Sequence, residues 1–179
     1  MLQLIPVKQS ADLNSDFRLI YKEGFPPDER REWNQLKDLL ANSDFCLYGI
    51  YHQQKLIGLL SVWNLNSFSF IEHFTIRKTE RGKGFGTEAI QQILARVKSP
   101  VILEVEGPLT DSARKRIAFY ERLKFSVSTG VYYQPPYSVG KKEVKMVLMS
   151  FPEQIQPNDF KKIKSQIHQS VYSVNLDQY

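Results

Sequence analysis

The sequence predicts an α/β protein with a central mixed, mostly antiparallel sheet of about seven strands, flanked by helices and followed by a C-terminal helix. Short runs of β-branched and aromatic residues, bounded by polar or Gly/Pro turns, indicate the strands. Longer stretches with apolar residues every three or four positions indicate amphipathic helices. With 179 residues, 42% of them hydrophobic, the chain is long enough to bury a sizeable core.

The first half of the chain predicts a strand, two helices and a hairpin. Residues 2–7 indicate an edge strand, and Ser10 is suited to cap the first helix. Residues 45–51 and 55–65 indicate an antiparallel hairpin around the polar turn 52–54. The apolar positions of the helices are Leu13, Phe17, Ile20 and Tyr21 in the first and Trp33, Leu36, Leu39 and Leu40 in the second.

Residues 68–98 contain the feature on which the functional prediction rests: a strand, a basic glycine-rich turn and a helix. Aromatic and β-branched residues from Phe68 to Ile76 indicate a buried strand. The turn that follows reads Arg81-Gly82-Lys83-Gly84-Phe85-Gly86. Apolar residues then recur at helical spacing at Ala89, Ile90, Ile93, Leu94 and Val97. The turn is therefore predicted at a helix N-terminus.

The second half predicts a strand, a helix, two more strands and a tail. The near-continuous apolar run 101–106 indicates a buried strand of parallel type. Asp111 or Ser112 can cap the next helix, and residues 125–133 and 143–149 indicate the last two strands. Apolar residues at helical spacing in the tail are Phe160, Ile163, Ile167 and Val171. We therefore predict a domain over residues 1–150 and a helical extension over 151–179 that packs on the domain or on a partner.

Composition narrows the class of protein. The net charge of +5 comes partly from the cationic clusters 77–83 and 114–116, which favour an anionic ligand and make nucleic acid a weaker alternative. A single cysteine, Cys46, cannot form an internal disulfide. His, Cys, Asp and Glu do not recur at metal-ligand spacing, so we predict no metal. Without an apolar run of membrane-spanning length, the sequence predicts a cytoplasmic protein with no membrane association.

The glycine-rich turn is chemically suited to bind phosphate. The first N–H groups of a helix lack intrahelical acceptors, and the positive end of the helix dipole adds to Arg81 and Lys83. A P-loop is excluded because its Lys must precede Ser or Thr, whereas Lys83 precedes Gly84. A dinucleotide fingerprint is disfavoured because the sixth position counted from Gly82 is Thr87 instead of glycine. A glycine turn without a ligand is the remaining alternative.

Two motifs resemble those of the GNAT N-acetyltransferases. The acyl-CoA-binding pattern of that family is Arg/Gln-x-x-Gly-x-Gly/Ala between a strand and a helix, and Arg81, Gly84 and Gly86 match it. The family also carries Tyr-x-x-x-Gly-Phe after the fifth strand, where this chain reads Tyr120-Glu121-Arg122-Leu123-Lys124-Phe125. Lys124 replaces the usual glycine and must adopt a left-handed conformation at some cost, unless the turn is built differently. The predicted order of elements over residues 1–150 is also that of the family.

The resemblance implies acetyl-CoA as cosubstrate and transfer of its acetyl group to a primary amine. Strand amides at the end of the fourth strand would hold the pantetheine arm, and the glycine-rich turn would hold the pyrophosphate. The residues implied in cofactor binding are Phe74, Ile76, Arg77, Arg81, Gly82, Lys83, Gly84, Phe85, Gly86 and Thr87. Arg116 stands where the family often has alanine, so the pantetheine contacts of that helix are expected to differ.

Two residues are candidates for catalysis. Glu72 stands where the family often has an acidic residue on the fourth strand, and it is the predicted general base, directly or through a water. The alternative is a carboxylate that pairs with an arginine, with Glu104 and Glu106 as reserve bases. Tyr120 is implied as the general acid for the departing thiolate, and a core tyrosine is its alternative. We interpret His73 as a buried structural histidine.

The acceptor is the least determined part of the prediction. Carboxylates and aromatic rings favour a cationic amine, and the candidate contacts are Asp28, Glu29, Trp33, Glu104 and Tyr137. Polyamines, aminoglycosides, amino acids and protein N-termini or lysines all satisfy that chemistry. The rival function is a module that binds acyl-CoA without turnover. A homodimer is one of the arrangements that the C-terminal helix would allow.

Overall fold

The computed structural model describes residues 1–174 and contains eight strands and five α-helices. The strands are β1 (Leu2–Pro6), β2 (Phe45–His52), β3 (Lys55–Asn64), β4 (Ser69–Ile76), β5 (Val101–Glu106), β6 (Ser126–Val127), β7 (Tyr132–Gln134) and β8 (Val144–Phe151). The helices are α1 (Ser15–Gly24), α2 (Trp33–Asp38), α3 (Phe85–Arg96), α4 (Asp111–Arg122) and α5 (Pro157–Ser170). None of these helices combines the length and apolarity that a bilayer crossing requires.

The strands follow one another in the order β1-β2-β3-β4-β5-β8-β6, and β7 pairs with β8. The chain forms two compact units. The first unit holds residues 1–64 and 71–98, and the second holds residues 65–70 and those from 99 onward. In the first unit β2 pairs antiparallel with β1 and β3. In the second unit β8 pairs antiparallel with β5, β6 and β7. The predicted fold class, a mixed sheet with flanking helices and a C-terminal helix, is confirmed.

The predicted strand over residues 125–133 is wrong in one respect, because it divides into β6 and β7. Val127 lies opposite Met149 and Tyr132 lies opposite Met146, so the path from β6 to β7 contains two more residues than the facing part of β8. Gly130 lies in that interval, and a Cβ added there would come within 2.4 Å of the Phe160 ring. The close approach of α5 to this backbone therefore requires glycine, and the ladder is interrupted beside it.

Two helix starts also differ from the prediction by a few residues. Ser10 begins a short 3-10 turn, and α1 is capped instead by Asn14, whose Oδ1 accepts from the backbone N–H groups of Asp16 and Phe17. Thr110 caps α4 by accepting from the Ala113 N–H. In each case a different polar residue nearby accepts from the first N–H groups of the helix, which lack partners within the helix. Residue preference alone does not say which of several neighbouring polar residues will be the cap.

Helix α5 packs within the second unit. Ile167 and Val171 are buried, and the His168 Nε2 lies 3.0 Å from the Tyr133 carbonyl oxygen. The division into residues 1–150 and an extension 151–179 stays a prediction, and residues 175–179 of that extension lie outside the described residues.

Lys124 takes the left-handed conformation that its motif demands. Its φ is +69°, the Lys124 N–H donates to the Glu121 carbonyl, and the Phe125 N–H donates to the Tyr120 carbonyl. The rings of Tyr120 and Phe125 lie 5.6 Å apart, which is the apolar contact typical of this helix ending. The chain therefore builds the family's turn with a lysine.

We expect Lys124→Gly to stabilise the protein by about 1 kcal/mol, because glycine reaches the left-handed region without a Cβ clash. The thermal midpoint should rise by about 2–4 °C for a chain of this size. Lys124→Ala keeps the Cβ and is the matched control. Equal midpoints for the glycine and alanine variants would contradict the assignment of strain to this residue.

Candidate active site

The glycine-rich turn has the backbone geometry that its composition predicts. Gly82 and Gly84 have φ values of +78° and +84°, and Gly84 is the N-cap of α3. A Cβ built on either glycine would meet no atom within 4 Å. The glycines are therefore required by backbone conformation and not by neighbouring atoms, and the space in front of them is open. The twelve-residue helix that follows directs its N-terminal N–H groups and its dipole to the same place.

Arg81 ties the turn to the end of β4. Its Nε donates to the Ile76 carbonyl at 2.9 Å, and its Nη2 lies 3.5 Å from the Thr75 hydroxyl. These bonds hold the guanidinium beside the end of β4. The family resemblance assigns this strand end to cofactor binding. The predicted cofactor residues thus form one segment of the first unit, from Phe74 to Thr87.

Two other cations of this segment, Lys83 and Arg77, are paired with carboxylates. Lys83 Nζ lies 2.8 Å from Glu80, which also accepts from Lys55 at 3.2 Å. These two hydrogen bonds lower the pKa of Glu80. Arg77 lies 3.0 Å from Asp16 of α1. Since all three pairs are partly exposed, a phosphate can compete for Lys83 and Arg77 at modest cost.

Glu72 lies in a buried polar cluster of the first unit. Its Oε1 accepts from Arg31 Nε at 2.8 Å and its Oε2 accepts from Trp63 Nε1 at 2.7 Å. The Arg31 guanidinium also lies 5.7 Å from the centroid of the Trp63 ring. His73 Nδ1 is 3.7 Å from Oε2, which is too long for a hydrogen bond. Both carboxylate oxygens of Glu72 therefore already accept from strong donors.

These contacts determine the charge state of Glu72. Burial alone would raise the pKa of the carboxyl, but Arg31, His73 and the Trp63 hydrogen bond outweigh it and hold the pKa at about 2. A carboxylate with such a pKa is a weak proton acceptor. The arrangement supports the alternative interpretation of Glu72, a carboxylate that pairs with an arginine. Its role as a base stays a prediction.

His73 is buried, as its interpretation as a structural histidine requires. Its side chain is 1% exposed, and its Nε2 lies 3.3 Å from the Tyr21 hydroxyl and 3.3 Å from the Glu29 carbonyl oxygen. Its ring makes edge contacts with Tyr21 and Phe25, with centroids 5.0 and 4.7 Å away. His73 therefore links β4 to the segment between α1 and α2.

Tyr120 belongs to the second unit, on the buried side of α4. It is 5% exposed, and its ring contacts Phe119 and Phe125. Burial raises the pKa of its hydroxyl against the opposing effect of Arg116, which itself pairs with Glu106 at 2.9 Å. The phenol is thus protonated at neutral pH, as both a proton donor and a core tyrosine would be.

The candidate acceptor contacts fall into two groups. In the first unit, Asp28 and Glu29 lie in a 3-10 turn, and Trp33 begins α2 with its ring 6.1 Å from Tyr21. In the second unit, Tyr172 donates to Glu104, and its hydroxyl oxygen lies 3.3 Å from that of Tyr137. The structure therefore joins Glu104 and Tyr137 through Tyr172, which follows α5.

Sequence reasoning missed Arg31, Trp63 and Tyr172. A glutamate within an otherwise apolar strand does signal a buried cationic partner, because an unpaired buried charge is costly. That signal does not say which arginine supplies the charge. Tyr172 carried no signal beyond its place at the end of an amphipathic stretch.

Over residues 1–174, no group of three or more His, Cys, Asp and Glu side chains is arranged to hold a metal ion.

A mixed sheet with a glycine turn between β4 and α3, followed by a tyrosine-bearing helix after β5, is the arrangement that the resemblance to acyl-CoA-dependent acetyltransferases implies. The sequence model described as the acetyltransferase (GNAT) family matches residues 10–125. The chain belongs to that family.

Relatives agree with this assignment. A GNAT-family acetyltransferase structure from Bacteroides thetaiotaomicron is 30% identical, with a TM-score of 0.86 and coverage of 98% of this chain and 99% of that one. YjbC of Bacillus subtilis, which is named as an acetyltransferase, is 29% identical over 115 residues, or 63% of this chain and 57% of that protein. A GNAT-family acetyltransferase from Elizabethkingia anophelis, solved with acetyl-CoA bound, is 13% identical with a TM-score of 0.60 over 85% of this chain and 98% of that one. The last likeness concerns the fold alone.

Proposed function

We propose that this protein is an N-acetyltransferase that transfers the acetyl group of acetyl-CoA to a primary amine. The observation that carries the proposal is the turn at Gly82 and Gly84, whose left-handed glycines leave open space before the N-terminus of α3. Pyrophosphate is the ligand that such a helix start favours. The turn residues from Arg81 to Thr87 would hold it, and the end of β4 from Phe74 to Arg77 would hold the pantetheine arm.

The bound thioester supplies an activated acyl group. The reaction also requires two proton transfers, one from the amine nitrogen and one to the leaving sulfur. The amine nitrogen attacks the carbonyl carbon, the C–N bond forms, the C–S bond breaks and the thiolate leaves. An alkyl ammonium has a pKa of ~10.4, so about one amine in ~2,500 is neutral at pH 7. A group in the protein or a water must therefore take a proton from nitrogen, and another must donate one to sulfur.

We propose Tyr120 as the donor to sulfur, on its match to the family motif and its buried, protonated hydroxyl. For the proton on nitrogen the contacts favour Glu104 over Glu72. Glu72 is held by Arg31 and Trp63, and Glu106 is paired with Arg116. Glu104 is half-buried and accepts a hydrogen bond from the Tyr172 hydroxyl.

A thiol-release screen tests the proposed function. The protein is mixed with acetyl-CoA and, in turn, putrescine, spermidine, an aminoglycoside, lysine amide and an alanine-starting peptide. Free thiol is followed, and the acetylated amine is identified by mass. We expect turnover with at least one of them. Binding of acetyl-CoA without thiol release from any amine would favour the rival function, a module that holds acyl-CoA without turnover.

A pH series on Glu72→Gln separates the two roles of Glu72. Because the folded pKa of about 2 lies below the ordinary value of 4.5, the pair stabilises the fold above pH 4.5, and this stabilisation is lost as pH falls towards 2. We expect the variant to lose about 3 kcal/mol at pH 7, with its midpoint approaching the wild-type one in acid. Its rate defect should not depend on pH between 7 and 9.

The opposite pattern would return the base role to Glu72. In that case the variant would keep the wild-type midpoint, and its rate would recover as rising pH deprotonates the free amine. Glu104→Gln, measured in parallel, should show that recovery if Glu104 takes the proton.

A further inference from the structure

We infer that Tyr172 is a positioning residue for Glu104: the residues that follow α5 bring its phenol against the carboxylate proposed to take the proton of the acceptor amine. The inference rests on the proposed function and adds to it a residue from the C-terminal segment. The match to the family model ends at residue 125, so Tyr172 lies outside the matched part of the chain. Tyr172 and Glu104 both belong to the second unit.

Two phenols form a chain of hydrogen bonds that ends on Glu104. The Tyr172 hydroxyl donates to Oε1 of Glu104, and its oxygen lies 3.3 Å from the Tyr137 hydroxyl oxygen. A phenol has one proton to donate. Because the proton of Tyr172 goes to the carboxylate, Tyr137 is the donor to Tyr172. Hydrogen bonds in such a chain polarise and strengthen one another, so Tyr137 supports the bond from Tyr172 to Glu104.

The Tyr172 side chain is held in place by burial and by its neighbours. It is 9% exposed, and the centroid of its ring lies 5.1 Å from that of Tyr137. The end of α5 is fixed to β7, because the His168 Nε2–H donates to the Tyr133 carbonyl at 3.0 Å. A buried phenol that is fixed in this way also fixes the orientation of the carboxylate to which it donates, here Glu104.

The groups around Glu104 on β7 and α5 are neutral at neutral pH. Burial and the charge of Glu104 raise the pKa of the Tyr132 hydroxyl on β7, so this phenol stays protonated. Burial lowers the pKa of His168, and Lys164 adds to the effect. The His168 ring lies 6.4 Å from that of Tyr172, on the same side of the cluster. Neither Tyr132 nor His168 therefore adds a charge beside the carboxylate.

The neighbouring strand and the rest of β5 add little that would replace the Tyr172 hydroxyl. On β8 the residue opposite Glu104 is Leu148, which is apolar. Glu106, two positions further along β5, is paired with Arg116 of α4 at 2.9 Å. A hydrogen bond to the charged form of a carboxyl lowers the pH at which it titrates. Loss of the Tyr172 hydroxyl should therefore move the titration of Glu104 to higher pH.

The test compares Tyr172→Phe with Tyr133→Phe, each of which removes one hydroxyl and keeps the ring. Tyr133 contacts α5 through its carbonyl oxygen, which the substitution retains. The titration of Glu104 is followed by NMR of the side-chain carboxyl carbons, and Glu104→Gln assigns its signal. Values of kcat and KM are measured against pH with the best amine of the screen.

For Tyr172→Phe we expect the titration midpoint of Glu104 to rise by about 1 pH unit, which is what a hydrogen bond to a charged group is worth. The acid limb of kcat should move to higher pH with it. On its plateau kcat should fall about 10-fold, because the carboxylate is no longer held in one orientation, while KM for acetyl-CoA stays unchanged. Tyr137→Phe should shift the midpoint in the same direction by less, and Tyr133→Phe should change none of these quantities.

An unchanged Glu104 midpoint in folded Tyr172→Phe would overturn the inference. A shifted midpoint with wild-type kcat would overturn it as well, since the bond would then have no effect on the reaction. If the wild type turns over no amine, the proposed function fails, while the NMR titration still decides whether Tyr172 holds the Glu104 carboxylate.

Discussion

Gly84→Asp should reduce acetyl-CoA affinity by at least about 10²-fold while the protein remains folded. The substitution forces a side chain into a φ of +84° and places a carboxylate in front of the α3 N-terminus, where the phosphates are proposed to bind. Like charges brought together at a binding surface cost several kcal/mol. Titration calorimetry with acetyl-CoA measures the effect directly.

The chain offers a matched control for backbone strain. Gly140, in the second unit, has a φ of +90° and open space around a built Cβ. Gly140→Asp should therefore lose a similar amount of stability and retain its affinity for acetyl-CoA. Wild-type affinity in folded Gly84→Asp would remove the pyrophosphate assignment from the turn.

Tyr120→Phe should lower kcat by about 10²–10⁴-fold with acetyl-CoA affinity nearly intact, because it removes a proton donor and keeps the ring. The ring contacts with Phe119 and Phe125 do not involve the hydroxyl, so the thermal midpoint should change little. Tyr48→Phe removes the hydroxyl of a half-buried tyrosine in β2. This variant is the control and should retain wild-type turnover. Unchanged turnover in Tyr120→Phe would leave Tyr120 as a core residue and assign the thiolate's proton to another group or to water.

Local patterns were enough to predict most of the architecture. Each predicted strand and helix of residues 1–150 has a counterpart, because apolar periodicity reports which face of an element is buried. The ends of elements differ from the prediction for two reasons. Asn14 and Thr110 cap α1 and α4 in place of the predicted residues nearby. The Phe160 ring lies against Gly130 and interrupts the predicted strand between β6 and β7.

The candidate site was predicted unevenly. The turn from Arg81 to Gly86 is contiguous, so its residue types and their spacing are enough to predict that it is suited to an anionic ligand. The cluster around Glu72 is assembled from Arg31, Trp63 and His73, which are separated from it by 41, 9 and 1 positions. No local pattern says that Arg31 turns inward to a carboxylate 41 residues away.

The sequence by itself determined that the chain carries a basic glycine turn at a helix start, a tyrosine-bearing helix after the fifth strand, and a left-handed lysine at the end of that helix. These properties depend on backbone conformations that a few neighbouring residues impose. Only the tertiary structure decided which donors and charges surround each carboxylate, such as Arg31 and Trp63 at Glu72. The proton affinity of Glu72 depends on the charges and donors that folding brings around it, and Arg31 and Trp63 hold its pKa at about 2.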